Sequence, residues 1–76
     1  MKTPKKIGKQ EKPDVLVFRT GLTVFAVEPI SSAAVAWVAE HVSTEPWQWI
    51  GGAFSVEHRY IASLVTGMRT DGLVVF

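Results

Sequence analysis

Two histidines, each preceded by a glutamate, are the residues of this chain best suited to chemistry: Glu40-His41 and Glu57-His58. Imidazoles with a carboxylate could hold zinc. Adjacent residues on a helix, however, point about 100 degrees apart, and neither pair has the HExxH spacing that sets two ligands on one face. His41 instead falls where a helix C-terminus favours a cation, and Glu57 where a helix N-terminus favours an anion. A serine nucleophile needs a base and an orienting acid, yet Ser31, Ser32, Ser55 and Ser63 have only those two histidines to draw on, and no GxSxG elbow is present. Gly51-Gly52 lacks both a GxGxxG frame and a following lysine, so it does not form a phosphate cradle. No cysteine occurs, which excludes disulfides, thiolate zinc sites and a thiol nucleophile. The expectation is a non-enzyme with no catalytic residues, metal or cofactor, and no small-molecule substrate.

The remaining residues with large binding potential are aromatic. Trp37, Trp47, Trp49 and Tyr60 are the candidate protein-binding side chains, because indole and phenol rings supply much contact energy at an interface while keeping one polar atom for a hydrogen bond.

These residues need a scaffold, and 76 residues allow one small domain. At 47% hydrophobic and 20% charged, the chain is too apolar to stay disordered. Its longest uncharged stretches, Pro29 to Ala39 and Pro46 to Val56, fall short of the ~18 residues a membrane-spanning helix needs. Charge is uneven. Residues 1–13 carry five lysines against Glu11, a balance of +4, whereas residues 14–76 carry three arginines against six acids, a balance of −3. The first stretch reads as a flexible, disordered, lysine-rich arm and the second as a single domain. Pro13, Asp14 and Arg19 interrupt any signal-peptide pattern, so the expected location is cytoplasmic.

Within the domain, Val15 to Phe18 and Leu22 to Val27 are β-branched and aromatic runs joined by a tight turn at Thr20-Gly21, and Glu28-Pro29 ends the second. Neither run alternates cleanly, so both sides of this hairpin call for cover. Ser31 or Ser32 caps a helix over Ala33 to Val42, with Val35, Val38, Ala39 and Val42 as its apolar stripe and Trp37 to the side. Trp47 to Val56 reads as one strand with a bulge or close backbone approach at Gly51-Gly52. A second helix places Ile61, Leu64, Val65 and Met68 on one face and Arg59, Ser63, Thr66 and Arg69 on the other, and Gly72-Leu73 completes a Schellman ending. Leu73 to Phe76 forms a last short strand.

The predicted fold is α+β: a small single-layer sheet with two helices packed on it, in the order β-β-α-β-α-β. Both crossovers, Val27 to Trp49 and Val56 to Leu73, permit parallel connections. If both helices cover one face, Phe18, Phe25, Trp47 and Trp49 are partly stranded on the other. Self-association as a homodimer relieves that exposure, with the Leu73 to Phe76 edge available for pairing.

The stretch Ile50 to Val56, the helix to Met68 and the following Asp71-Gly72-Leu73-Val74 resemble the second half of a winged helix-turn-helix. The resemblance covers about a third of the chain. It implies a nucleic-acid-binding regulator with a short helix over the double glycine, His58, Arg59, Ser63 and Thr66 facing a groove, and Lys5, Lys6 and Lys9 on phosphates. Gly51-Gly52 stands where that motif has helix formers, and residues 14–76 are net acidic. The leading expectation is therefore a non-catalytic protein-interaction or regulatory domain that binds another protein or itself, with the nucleic-acid reader as the alternative.

Overall fold

The computed structural model describes residues 12–76, so Lys5, Lys6, Lys9 and nearly all of the arm lie outside the described residues. The elements are β1 (Val15–Arg19), β2 (Val24–Pro29), α1 (Ser32–His41), β3 (Trp49–Ile50), β4 (Ala53–Glu57) and α2 (His58–Thr70), with a 3₁₀ turn at Pro46–Gln48. Four strands form an antiparallel sheet in the order β1-β2-β4-β3, and Val75 adds a parallel bridge to Val15 on the outer side of β1. This is the expected α+β arrangement, with the last strand reduced to that bridge. Because β4 is antiparallel to both its neighbours, α1 connects the parallel strands β2 and β3, and α2 connects β4 to a C-terminal segment running parallel to it.

The paired residues sort the sheet into two faces. Val15, Val17, Val27, Phe54 and Trp49 share one, and Leu16, Phe18, Ala26, Ser55 and Ile50 share the other. The first face carries the core: Val15, Val27 and Phe54 pack with Ala34 and Val38 of α1, Met68 of α2, and Leu73 and Val75. Both helices therefore lie on one face, and they meet where Trp37 crosses Gly67; a Cβ added there would stand 3.5 Å from the indole. The expectation that both sides of the hairpin find cover is corrected, since among the described residues nothing packs on the second face. Phe18 is 46% exposed there, Ile50 79%, and Phe76, alongside Val15 and Val17, 60%. Of the four aromatic residues expected to be stranded, only Phe18 lies on the open face.

Several local expectations are met. Ser31 caps α1, its Oγ accepting from the Ala34 N–H at 3.1 Å. The face of α2 that contains Met68 is turned inward, and the helix closes as a full Schellman motif: Gly72 has φ +93, its N–H donates to Arg69 O at 3.0 Å, and the Leu73 N–H donates to Met68 O at 3.0 Å. Asp14 ties three segments together. Its backbone carbonyl accepts from the Ile30 N–H at 2.7 Å, and its Oδ2 accepts from the Val74 N–H at 2.8 Å. Hydrogen bonds from the Ser31 hydroxyl and the Val74 N–H hold its carboxyl below the usual carboxylate range.

Other expectations are corrected. Leu22 is not a strand residue: Thr20 and Gly21 both donate to Val24 O, so the loop runs to Thr23 and exposes Leu22. The buried stripe of α1 is Ala34 and Val38 with Trp37 beside it, while Val35 and Ala39 are exposed; an alanine-rich helix has no strong apolar side, and the closest approach goes to its smallest residues. Trp47 to Val56 is not one strand. Gly51 takes φ +63, a left-handed value that glycine adopts freely, and the two glycines make a two-residue hairpin turn with Ile50 opposite Ala53.

Candidate functional site: an aromatic groove

A groove of about 770 Å³ opens where the end of α1, the 3₁₀ turn, β4 and the start of α2 converge. Trp37, Trp47 and Tyr60 line it from three different elements, with His41, Val56 and Leu64 between them. Pro46 fits the first position of the 3₁₀ turn, where a missing N–H costs nothing. The turn is closed by Gln48 N–H donating to Glu45 O at 2.9 Å and by the Gln48 side-chain oxygen accepting from the Glu45 N–H at 2.7 Å. Trp47 projects outward from it and is 78% exposed.

The opposite wall is fixed by a three-residue cluster. Trp37 and His41 stack one helical turn apart, with ring centroids at 4.4 Å. The Trp37 Nε1–H donates to Asp71 Oδ2 at 2.7 Å, the same oxygen lies 4.0 Å from His41 Nε2, and His41 Nδ1 is 2.9 Å from Trp37 O. On the β4 side, Glu57 Oε1 accepts from Arg59 Nε at 3.1 Å, and the Arg59 guanidinium lies over the Tyr60 ring.

Three of the four candidate protein-binding residues thus come together. Trp49 does not join them. It packs on Phe54 with centroids at 4.9 Å, donates Nε1–H to Thr44 Oγ1 at 2.8 Å, and lines a separate apolar hollow of about 470 Å³ with Val35, Val38 and Gly51. Among the nucleic-acid candidates, His58, Arg59, Ser63 and Thr66 are all exposed on α2, and Ser63 lines the aromatic groove. The short helix implied over Ile50 to Val56 is a β-hairpin, so the helix-turn-helix pattern is corrected at its first element: the double glycine bends a ribbon there. Among the described residues, no three acid or histidine side chains gather at metal-binding distance, and no helix is long and apolar enough to cross a membrane.

Sequence reasoning missed His41 and Gln48 as wall residues. Four residues separate Pro46 from Gly51, and the 3₁₀ turn takes two of them, which leaves two for β3. No protein-family model, curated protein or solved structure matches the chain.

Proposed function

We propose that the chain is a small non-catalytic domain that binds a segment of another protein in the aromatic groove. The observation that carries this reading is the convergence of Trp37, Trp47 and Tyr60 on one concave surface, where the exposed Trp47 and Tyr60 rings and the half-buried Trp37 provide contact area at low entropic cost. The titratable groups of the groove have partners of their own, His41 with Trp37 and Asp71, Glu57 with Arg59. That engagement supports a binding role over an acid–base role. Titration with acidic, basic and apolar synthetic peptides, followed through the indole signals of Trp37 and Trp47, tests it. Binding should weaken at least about tenfold in Trp47→Ala. If no peptide moves those signals at millimolar concentration, the reading fails. Duplex DNA that binds at low salt without moving them would favour the nucleic-acid reader instead.

A second reading, self-association, is favoured by the open sheet face with Phe18, Ile50 and Phe76. Strand spacing and rise give this face a plane of roughly 300 Å², well under the ~800 Å² per partner of a standard stable interface. The dimer is accordingly weak, visible in diffusion measurements at about millimolar protein and absent at about micromolar. A strict monomer at millimolar concentration overturns it.

A further inference from the structure

The strand beneath the groove decides what form a ligand can take. The His58 N–H bond to Thr23 O sets the backbone groups of Phe54 and Val56 toward β2. On the other side, the pairing of Trp49 with Phe54 and of Ile50 with Ala53 places the Ser55 N–H on the Gln48 carbonyl. The Gln48 side chain reaches back as well, its Nε2 donating to the Ser55 carbonyl at 3.4 Å. An arriving strand would find no ladder to extend at Ser55, so whatever enters must keep its own backbone hydrogen bonds. Among regular structures that condition selects a helix, which bonds its own backbone and sets its apolar side chains in one stripe.

Charge and breadth narrow the ligand further. Glu57, the carboxylate that lines the groove, is paired with Arg59, and His41 lies against Asp71, so the complementary surface is an uncharged one. Trp47 is 78% exposed and Tyr60 58%, and rings that stand so far out are covered only by a ligand wider than the groove. No part of this chain supplies one. The apolar stripe of α2 is packed on the core, α1 exposes only Val35 of its two valines, and residues 1–11 hold just Met1 and Ile7 as apolar side chains, around Pro4 and Gly8. From these observations we infer that the groove takes an amphipathic α-helix of another protein, laid with an uncharged apolar stripe against Trp37, Trp47 and Tyr60. The inference rests on the protein-binding reading and names its ligand.

A capped peptide of about 14 residues is the direct probe, with leucines at i, i+3, i+4 and i+7 on a background of alanine and glutamine. Titrated into the intact chain, it should move the Trp37 and Trp47 indole N–H signals. Far-ultraviolet circular dichroism should show the peptide gaining helix as it binds, since a helix this short is marginal alone in water. Binding should weaken at least about tenfold when the same residues are reordered so that the leucines share no face, and equally when a proline stands mid-peptide. Trp47→Ala should weaken it by a similar factor while leaving the melting temperature of the domain unchanged, because that ring lies outside the core. Lysine and glutamate substituted on the outer face of the peptide should bind within about threefold of each other near physiological ionic strength. Equal binding by an alternating leucine–glutamine peptide of strand pattern would overturn the helical mode and leave groove binding standing. A preference above about tenfold for either charge would overturn the uncharged stripe. Silence of the indole signals toward every peptide would remove the underlying reading as well.

Discussion

The Trp37 indole N–H donates to Asp71 Oδ2 at 2.7 Å and so joins the middle of α1 to the C-terminal cap of α2, 34 residues later. The bond fixes the angle between the helices and holds one wall of the groove. Trp37→Phe keeps most of the ring packing and removes the donor. Because the pair is exposed, the expected loss is about 0.5–1.5 kcal/mol. Chemical denaturation should show a lower midpoint with an unchanged slope. Combining Trp37→Phe with Asp71→Asn should cost less than the sum of the single changes, and strict additivity would mean that the bond contributes nothing.

Gly67 lies inside α2, opposite the Trp37 ring, where an added Cβ meets Cζ2 at 3.5 Å, an ordinary contact distance. Alanine relieves the helix of glycine's conformational freedom at no steric cost. Gly67→Ala should stabilise the domain by about 0.5–1 kcal/mol, seen as a higher melting temperature. A lower one would show that the helices sit closer than this geometry.

At Gly51 the constraint is backbone conformation rather than space. Its φ of +63 leaves open room for a side chain but lies in the region that L-residues enter at a cost. Gly51→Ala should lose about 1–2 kcal/mol, and Gly51→Asn less, because asparagine tolerates that region better. Equal stability of all three proteins would contradict the turn geometry.

Asp14 gives the domain an acid limit. Its carboxyl is held below its ordinary value of 3.8 by the Ser31 hydroxyl and the Val74 N–H, so the ionised form is bound more favourably in the native state than in the unfolded chain. The stabilisation is fully present above the unfolded value and is lost as pH falls through the lower native one. Wild-type stability should therefore decline on acidification below about pH 4. Asp14→Asn should be less stable at neutral pH and show a shallower acid limb in pH-dependent denaturation.

The parts of the fold that were legible in the sequence are those in which a single residue type has one physical use. Gly72 could end α2 only in a left-handed conformation, and Ile61, Leu64, Val65 and Met68 repeat with helical period, so that helix and its ending could be read directly. In α1 the alanines are equally able to face in or out, and the choice of Ala34 over Val35 is made by the strands beneath. The double glycine reads as a bulge or close approach within one strand, and only the pairing of Trp49 with Phe54 makes it a turn. Trp37, Trp47 and Tyr60 could be named only as candidates for binding, from their type. That they share a groove, and that Trp49 does not, follows from how far β3 extends, which no local pattern encodes.

β4 passes into α2 without a single intervening residue: Glu57 ends the strand, and the His58 N–H is still bonded to Thr23 O. The junction has no slack. Thirteen residues of unbroken helix then run from the rim of the sheet to Met68 in the core and, just past the helix end, to the carboxylate that accepts from Trp37, so a span of some 20 Å is crossed with no loop in between.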